Sequence, residues 1–359
     1  MKYALIGCGR ISPNHVMAAK NNELDIVAVC DIDIRNAEDK ILKFDLDRER
    51  VKAYEDYKEL LKNEKPELVA IATESGKHAS IALDCINAGC HVIIEKPIAL
   101  SIADADAIIQ AAKDKGVLVC ANHQNRFNKS IVEIRKAIEK NRFGKLLYGT
   151  AHIRWARNHE YYDRASWRGT WEQDGGALMN QCIHDIDLLR WMMGDEIDTV
   201  YGMTDRLIHP YIEAEDLGLA VVKFKNGSYG TIEGTTNVYP KNLEETLYIF
   251  GEKGTVKAGG EAVNIIEEWK FSDYFGDEET VKKECCENPP NVYGFGHSKL
   301  YKNVINAIEG KEELVVDGEA GKRALELVLA IYKSAAEGKP VKLPLVNCST
   351  NDFIGRFEK

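Results

Sequence analysis

The feature that most constrains this chain lies at its start. A short apolar run, Tyr3-Ala4-Leu5-Ile6, meets Gly7-Cys8-Gly9-Arg10-Ile11-Ser12, and a second apolar run, Ile26 to Cys30, ends on Asp31. A strand that turns through two glycines into a helix aims backbone N–H groups at whatever lies before the helix N-terminus, and a pyrophosphate suits that position. The first glycine permits the tight turn, and the second lets the backbone approach the phosphates. Ser12 stands where glycine or alanine usually closes this pattern; it is predicted to cap the helix, with Pro13 at the first helical position. Asp31 follows Gly7 by 24 residues, where a carboxylate accepts hydrogen bonds from ribose hydroxyls and repels a 2′-phosphate. The pattern predicts a dinucleotide site that favours NAD over NADP.

The next segments extend the same reading. Leu68 to Ala72, His91 to Ile94 and Val117 to Ala121 are continuously apolar, as strands are when both faces of a parallel sheet are covered. Ser80 to Ala88 and Ile102 to Lys115 read as helices, each followed by a glycine suited to a left-handed cap, Gly89 and Gly116. Beyond about residue 145 the strands lengthen and alternate. Leu146 to Trp155, Asp216 to Lys225, Ser228 to Asn237, Glu244 to Phe250 and Thr255 to Ala258 read as antiparallel, with Asn226-Gly227 as a hairpin turn. The fold class expected is α/β: an N-terminal Rossmann domain over 1–122, and a C-terminal α/β domain over 123–359 with a large, mainly antiparallel open sheet. Apolar residues at both phases of several strands predict that the open sheet face joins copies of the chain as a dimer or tetramer. The helical stretches His297 to Ala307 and Gly321 to Ala336 are expected to pack back on the first domain, and Asp277 to Asn291 to be a charged surface excursion.

Charge and cysteine content exclude several functions. With 47 Lys+Arg against 57 Asp+Glu the formal charge is -10, a field that disfavours nucleic acid and anionic membrane surfaces. No run approaches the roughly 18 apolar residues of a membrane span. The nine cysteines are scattered without a C-x-x-C pair, which predicts reduced thiols, no metal site and a soluble cytoplasmic protein.

Two constellations carry the chemistry. Glu95-Lys96-Pro97 directly follows a parallel strand, at the sheet end where such folds bind ligands. Gly175-Gly176 opens a segment in which Asn180, His184 and Asp187 recur at helical spacing as a polar stripe, with Asp187 placed to orient the imidazole. A histidine near its unperturbed pKa suits general-base work at neutral pH.

Together with Trp167-Arg168, these motifs resemble the Gfo/Idh/MocA oxidoreductases over essentially the whole chain. The resemblance implies NAD(P)-dependent oxidation of a sugar hydroxyl, with Lys96 beside the reacting hydroxyl and His184 as the acid/base. Many members carry aspartate where this chain has Asn180. The segments His123 to Asn128, Trp167 to Glu172, Gly175 to Gln181 and Tyr239-Pro240-Lys241-Asn242 are similar to one group within it, the UDP-N-acetylglucosaminuronate 3-dehydrogenases, and Asn180 matches that group. The narrower resemblance implies a UDP-sugar acid as substrate, in the making of bacterial surface polysaccharide, and regeneration of the NAD by 2-oxoglutarate.

The residues fit such a substrate on separate grounds. A diphosphate and a carboxylate require local positive charge, and Arg154, Arg157, Arg164 and Arg168 alternate with Trp155, Tyr161, Tyr162 and Trp167. The expected cofactor contacts are Gly7, Cys8, Gly9, Arg10, Ile11, Asp31, Thr73, Glu95, Lys96 and Gln124. Those expected for substrate are Lys96, Asn125, Arg126, Arg157, Tyr162, Trp167, Arg168, Asn180, His184 and Tyr239. His184 would accept the proton of the 3-hydroxyl as hydride leaves for the nicotinamide, with Lys96 polarising the oxygen. A dehydrogenase of another sugar or inositol, and a non-catalytic NAD-binding sensor, stay open as alternatives.

Overall fold

The structure is a computed structural model that describes residues 1–260, 262–272, 276–287 and 294–358. It divides into two compact units: Met1–His123 with His297–Lys322, and Gln124–Gly296 with Arg323–Lys359.

The first unit holds a six-stranded sheet. Its strands are β1 (Lys2–Ile6), β2 (Asp25–Cys30), β3 (Lys52–Tyr54), β4 (Leu68–Ile71), β5 (His91–Ile94) and β6 (Val119–Ala121). They pair in parallel in the order β3-β2-β1-β4-β5-β6, so the strand order reverses between β1 and β4. Leu5, Val69, Ala70 and Ile93 are wholly buried, which is why these runs lack alternation. The short edge strand β3 has no apolar run to announce it. The helix Ile102–Lys115 starts on a Ser101 cap that accepts from Asp104 N and stops at left-handed Gly116. Ser12 is not the cap predicted for the first helix: Ile11 holds that position, and Ser12 Oγ instead donates to Gly9 O at 2.6 Å. Within the helix Gly296–Ile308, the residues from His297 on belong to this unit, and Tyr301 reaches the Tyr3 hydroxyl at 3.0 Å.

The second unit is built on an eight-stranded sheet. Its strands are β7 (Leu146–Arg154), β8 (Ile197–Asp205), β9 (Leu217–Phe224), β10 (Tyr229–Thr235), β11 (Glu244–Gly251), β12 (Gly254–Gly259), β13 (Ile265–Phe271) and β14 (Val341–Lys342). The order is β13-β12-β11-β7-β10-β9-β8-β14. All pairs are antiparallel except β7 with β10, which run parallel although the sequence pattern reads both as antiparallel strands, so the sheet is mainly antiparallel as expected. Strand direction across 74 residues of intervening chain is a tertiary choice that no local pattern encodes.

One face of this sheet receives the helix Ile183–Met193. The strands make room with glycine: a Cβ on Gly218 would lie 2.4 Å from Leu178, and one on Gly234 2.6 Å from Leu178 and 2.8 Å from Cys182. Most of the helix Gly318–Glu337 belongs here too, while its first residues, through Lys322, belong to the first unit. Its apolar face is buried, and Tyr332 meets the Trp171 ring edge-on at 5.2 Å. The segment expected as a surface excursion contains the helix Glu278–Glu284, while Pro289, Pro290 and Asn291 lie outside the described residues. Among the described residues no helix is long and apolar enough to cross a membrane, and all nine cysteines are free thiols.

Candidate active site

In the first unit the glycine turn sits where the strand order reverses. Gly7 has φ +96°, and a Cβ there would lie 2.5 Å from the Ala72 carbonyl, so only glycine lets β1 and β4 emerge side by side. At Gly9 nothing lies within 4 Å of a Cβ, and the residue is exposed with Arg10. Asp31 is tied into the same turn: it accepts from Cys8 N at 2.8 Å, Asp33 N at 3.0 Å and Asn36 Nδ2 at 3.2 Å. Thus Gly7, Cys8, Gly9, Arg10, Ile11, Asp31 and Thr73 gather at the carboxyl ends of β1, β2 and β4. An open, glycine-lined turn with an acid on the next strand fits an NAD-type dinucleotide. Burial, and then Asp31, push the Cys8 thiol up to about 12, so it stays protonated.

Lys96 is half-buried at the end of β5, and its peptide bond to Pro97 is cis. Two groups that sequence reasoning missed surround this loop. His78 reaches Pro97 O at 2.7 Å and Thr73 O at 3.2 Å, linking the segments after β4 and β5. His15, in the first helix, meets Glu95 Oε1 at 2.8 Å through Nε2 and Tyr301 Oη at 2.6 Å through Nδ1. Glu95 also accepts from Asn122 and, at 3.2 Å, from Lys96 N. Its carboxylate is therefore occupied inside the protein. Burial alone would raise that carboxyl, but hydrogen bonds and charge from His15 and His297 outweigh it and hold the group well below the usual range. The ligating atoms of His15, Glu95 and His297 lie within 4.8 Å of one another. The 2.8 Å between His15 and Glu95 is a hydrogen bond, shorter than the roughly 3.4 Å separating two ligands on a tetrahedral ion at about 2.1 Å.

In the second unit the site builds on the helix carrying His184. Gly175 and Gly176 have positive φ, and a Cβ on Gly176 would meet Glu215 Oε2 at 1.8 Å. Glu215 in turn accepts from Leu178 N at 2.7 Å and Tyr332 Oη at 2.8 Å, and burial pushes its carboxyl up to about 8. The turn it supports, Leu178–Cys182, is a π-helix, and regular α-helix starts only at Ile183. The expected stripe is therefore broken by a wide turn of the kind that recurs at functional sites. Asn180 is half-buried and bonds Asp174, and His184 is 9% exposed. Asp187, read as a partner for the imidazole, accepts Arg126 Nε at 2.7 Å and Nη2 at 2.6 Å. Arg126 is 4% exposed and stacks on Trp191. Its neighbours Gln124 and Asn125 are buried as well, and Asn125 Nδ2 donates to Glu245 at 3.3 Å.

The arginine and aromatic cluster is also brought together in this unit. Arg157 lies over Trp155 and Tyr161, and Arg168 over Tyr161 and Trp167. Among the described residues Arg157 bonds only neutral acceptors, Gln181 Oε1, Asn242 Oδ1 and Ala156 O. The buried Nε of Arg168 meets no acceptor among the described residues. Tyr162 is 8% exposed, with its hydroxyl 3.3 Å from Thr236, and it is Tyr161 that lies against both arginines. Arg154, unlike Arg157 and Arg168, is ion-paired, with Glu233 and Glu244. Tyr239 is exposed.

Comparison with known proteins agrees with both units. Residues 1–123 match the family model "Oxidoreductase family, NAD-binding Rossmann fold", and residues 135–343 match "Oxidoreductase family, C-terminal alpha/beta domain". Among solved structures, the chain is similar to the WlbA dehydrogenase from Bordetella pertussis in complex with NADH and UDP-GlcNAcA. That match has 38% identity, covers 96% of this chain and 98% of that one, and has a TM-score of 0.89. The corresponding Chromobacterium violaceum complex is 36% identical, covers 96% of each chain and has a TM-score of 0.88. A myo-inositol 2-dehydrogenase of Thermotoga maritima is 28% identical over 96% of this chain and 98% of its own length.

Proposed function

This chain belongs to the Gfo/Idh/MocA family of NAD-dependent sugar and polyol dehydrogenases, and from that premise we propose that it oxidises the 3-hydroxyl of UDP-N-acetyl-D-glucosaminuronic acid. The observation that carries the reading is the pair Arg157 and Arg168. Neither is ion-paired among the described residues, one retains an unmet buried N–H, and both lie against aromatic rings. Two uncompensated guanidiniums in a chain of net charge -10 suit a ligand bearing its own anions, such as a diphosphate and a carboxylate. Free inositol has none. The likeness to the two WlbA complexes, at higher identity than the inositol enzymes, supports the same reading.

Bound NAD would supply the hydride acceptor. Lys96 places a positive charge where alkoxide character develops, and His184 takes the hydroxyl proton. Asn180 holds the sugar without sharing its proton, and Trp167 and Tyr239 border it. A substrate panel tests the assignment through NADH formation. UDP-N-acetylglucosaminuronic acid should turn over, and UDP-N-acetylglucosamine, which lacks the carboxylate, should lose about ten- to a hundredfold in kcat/KM, as expected for one charge-assisted hydrogen bond. Higher kcat/KM with myo-inositol would replace this reading by the polyol one.

The open face of the second sheet supports a further part of the proposal. Tyr201, Val221, Thr231, Thr150 and Tyr248 form one cross-strand row, flanked by exposed Met203, Leu219, Tyr148 and Tyr229. A contiguous apolar face of this kind joins copies of the chain. Val221→Arg should convert the assembled species to a smaller one by light scattering. An unchanged mass would put the interface elsewhere.

A further inference from the structure

We infer that Asp185 and Glu245 share a single proton, and that this acid–carboxylate hydrogen bond holds the helical turn carrying His184 against the start of β11. Asp185 is wholly buried on the helix Ile183–Met193, and Glu245 is 2% exposed on β11, paired in register with buried Ile153. Their carboxyl groups are within hydrogen-bonding reach of each other. No N–H or O–H of another described residue reaches either Asp185 oxygen or Glu245 Oε2, while Glu245 Oε1 takes only Asn125 Nδ2. Two ionised carboxylates in contact, buried and without an ion-paired countercharge among the described residues, repel strongly, whereas one proton turns the contact into a short, strong hydrogen bond.

The groups around the pair reinforce this state. Asp187, on the same helix, adds negative charge, and its own countercharge, Arg126, is committed to it. The Cys182 thiol, one turn earlier, is neutral because burial raises it. Arg157, beyond β7, and Asn125 draw Glu245 back only in part. Burial pushes Asp185 up to about 7, and burial together with Asp185 raises Glu245 further, so the two titrate as one system that keeps a proton at neutral pH. The pair joins the helix to β11 just as Arg126–Asp187 joins it to the segment Gln124–Phe127. The proton sharing stands by itself. The claim that it positions His184 rests on the reading of His184 as the base.

Infrared spectroscopy of the whole protein at neutral pH tests the sharing directly. The wild type should show a protonated-carboxyl band that Glu245→Gln removes; Glu215 contributes its own band, so the difference spectrum makes the assignment. Both acids are raised on folding, so they stabilise below the unfolded pKa and lose that contribution as pH rises, Asp185 from about 4 through about 7. The melting temperature of the wild type should fall across that window, and Glu245→Gln should flatten the fall.

Glutamine keeps a donor for Asp185 without titrating, so it should hold kcat near neutral pH. Glu245→Leu leaves the buried Asp185 as a neutral acid with no acceptor for its O–H and no link to β11, and should lower kcat by about tenfold or more, with KM changed less. A difference spectrum without the band, or a wild-type melting temperature flat across the window, overturns the sharing. The band with an unchanged kcat in Glu245→Leu overturns the positioning. If instead His184→Asn leaves turnover intact while the band persists, the general-base reading fails and the shared proton survives.

Discussion

Lys96→Met and His184→Asn should each lower kcat/KM for the UDP-sugar acid by about 10²- to 10⁴-fold, the range for losing a positioned acid–base group or a charge aimed at the developing anion. In free energy this is about 3–5 kcal/mol of transition-state stabilisation for each residue. The two losses differ in kind. Lys96 contributes a positive charge and His184 a proton acceptor, so raising the pH should partly restore the histidine variant and leave the lysine variant low. NAD binding, followed by fluorescence quenching, should change little in His184→Asn. In Lys96→Met the effect should fall mainly on kcat, because a charge that matters most for the alkoxide is used most in the transition state. Steady-state kinetics with both variants decides the matter: turnover of the sugar acid within threefold of wild type for either residue removes it from the chemistry.

A second large effect is expected on stability. Arg126 and Asp187 form a two-pronged ion pair with both side chains nearly out of solvent. Removing one member leaves a buried charge uncompensated, so Arg126→Leu or Asp187→Asn should cost about 3–5 kcal/mol of unfolding free energy. For a unit of this size that is a fall of about 6–20 °C in the melting temperature. Replacing both residues by apolar ones of similar volume should recover most of the loss, because the desolvation of two charges disappears with them. A double variant no more stable than either single one would show that the pair does more than neutralise itself. Calorimetry of the three variants separates these outcomes.

Legibility differed sharply between residue classes. The glycine turn, Asp31 and the apolar strands were open to reading because each rests on local chemistry: a positive φ, a strand end, a period. Strand β3 escaped, since three residues with no apolar run at a sheet edge leave no pattern. β8 and β13 escaped as well, one interrupted by Gly202 and the other carrying Glu267-Glu268 in its middle. The π-turn before His184 is set by Glu215 filling the space beside Gly176 and bonding Leu178 N, a contact between segments nearly forty residues apart. Periodicity alone cannot see it. A detectable signal did exist for His15 and His78, both polar residues embedded in apolar helical segments, although their partners were hidden.

What the amino-acid order determined by itself is the kind of parts present: a parallel nucleotide-binding sheet, an acid at its second strand, a lysine loop and a histidine helix. What only the tertiary structure decided is which polar group each buried side chain meets. Arg126 meets Asp187, Glu95 holds His15, and Tyr161 rather than Tyr162 lies between two arginines. Secondary structure follows from backbone sterics and side-chain periods over a few neighbouring residues. Partner choice follows from desolvation, which penalises every unmatched polar group in the interior and is settled only when distant segments have packed.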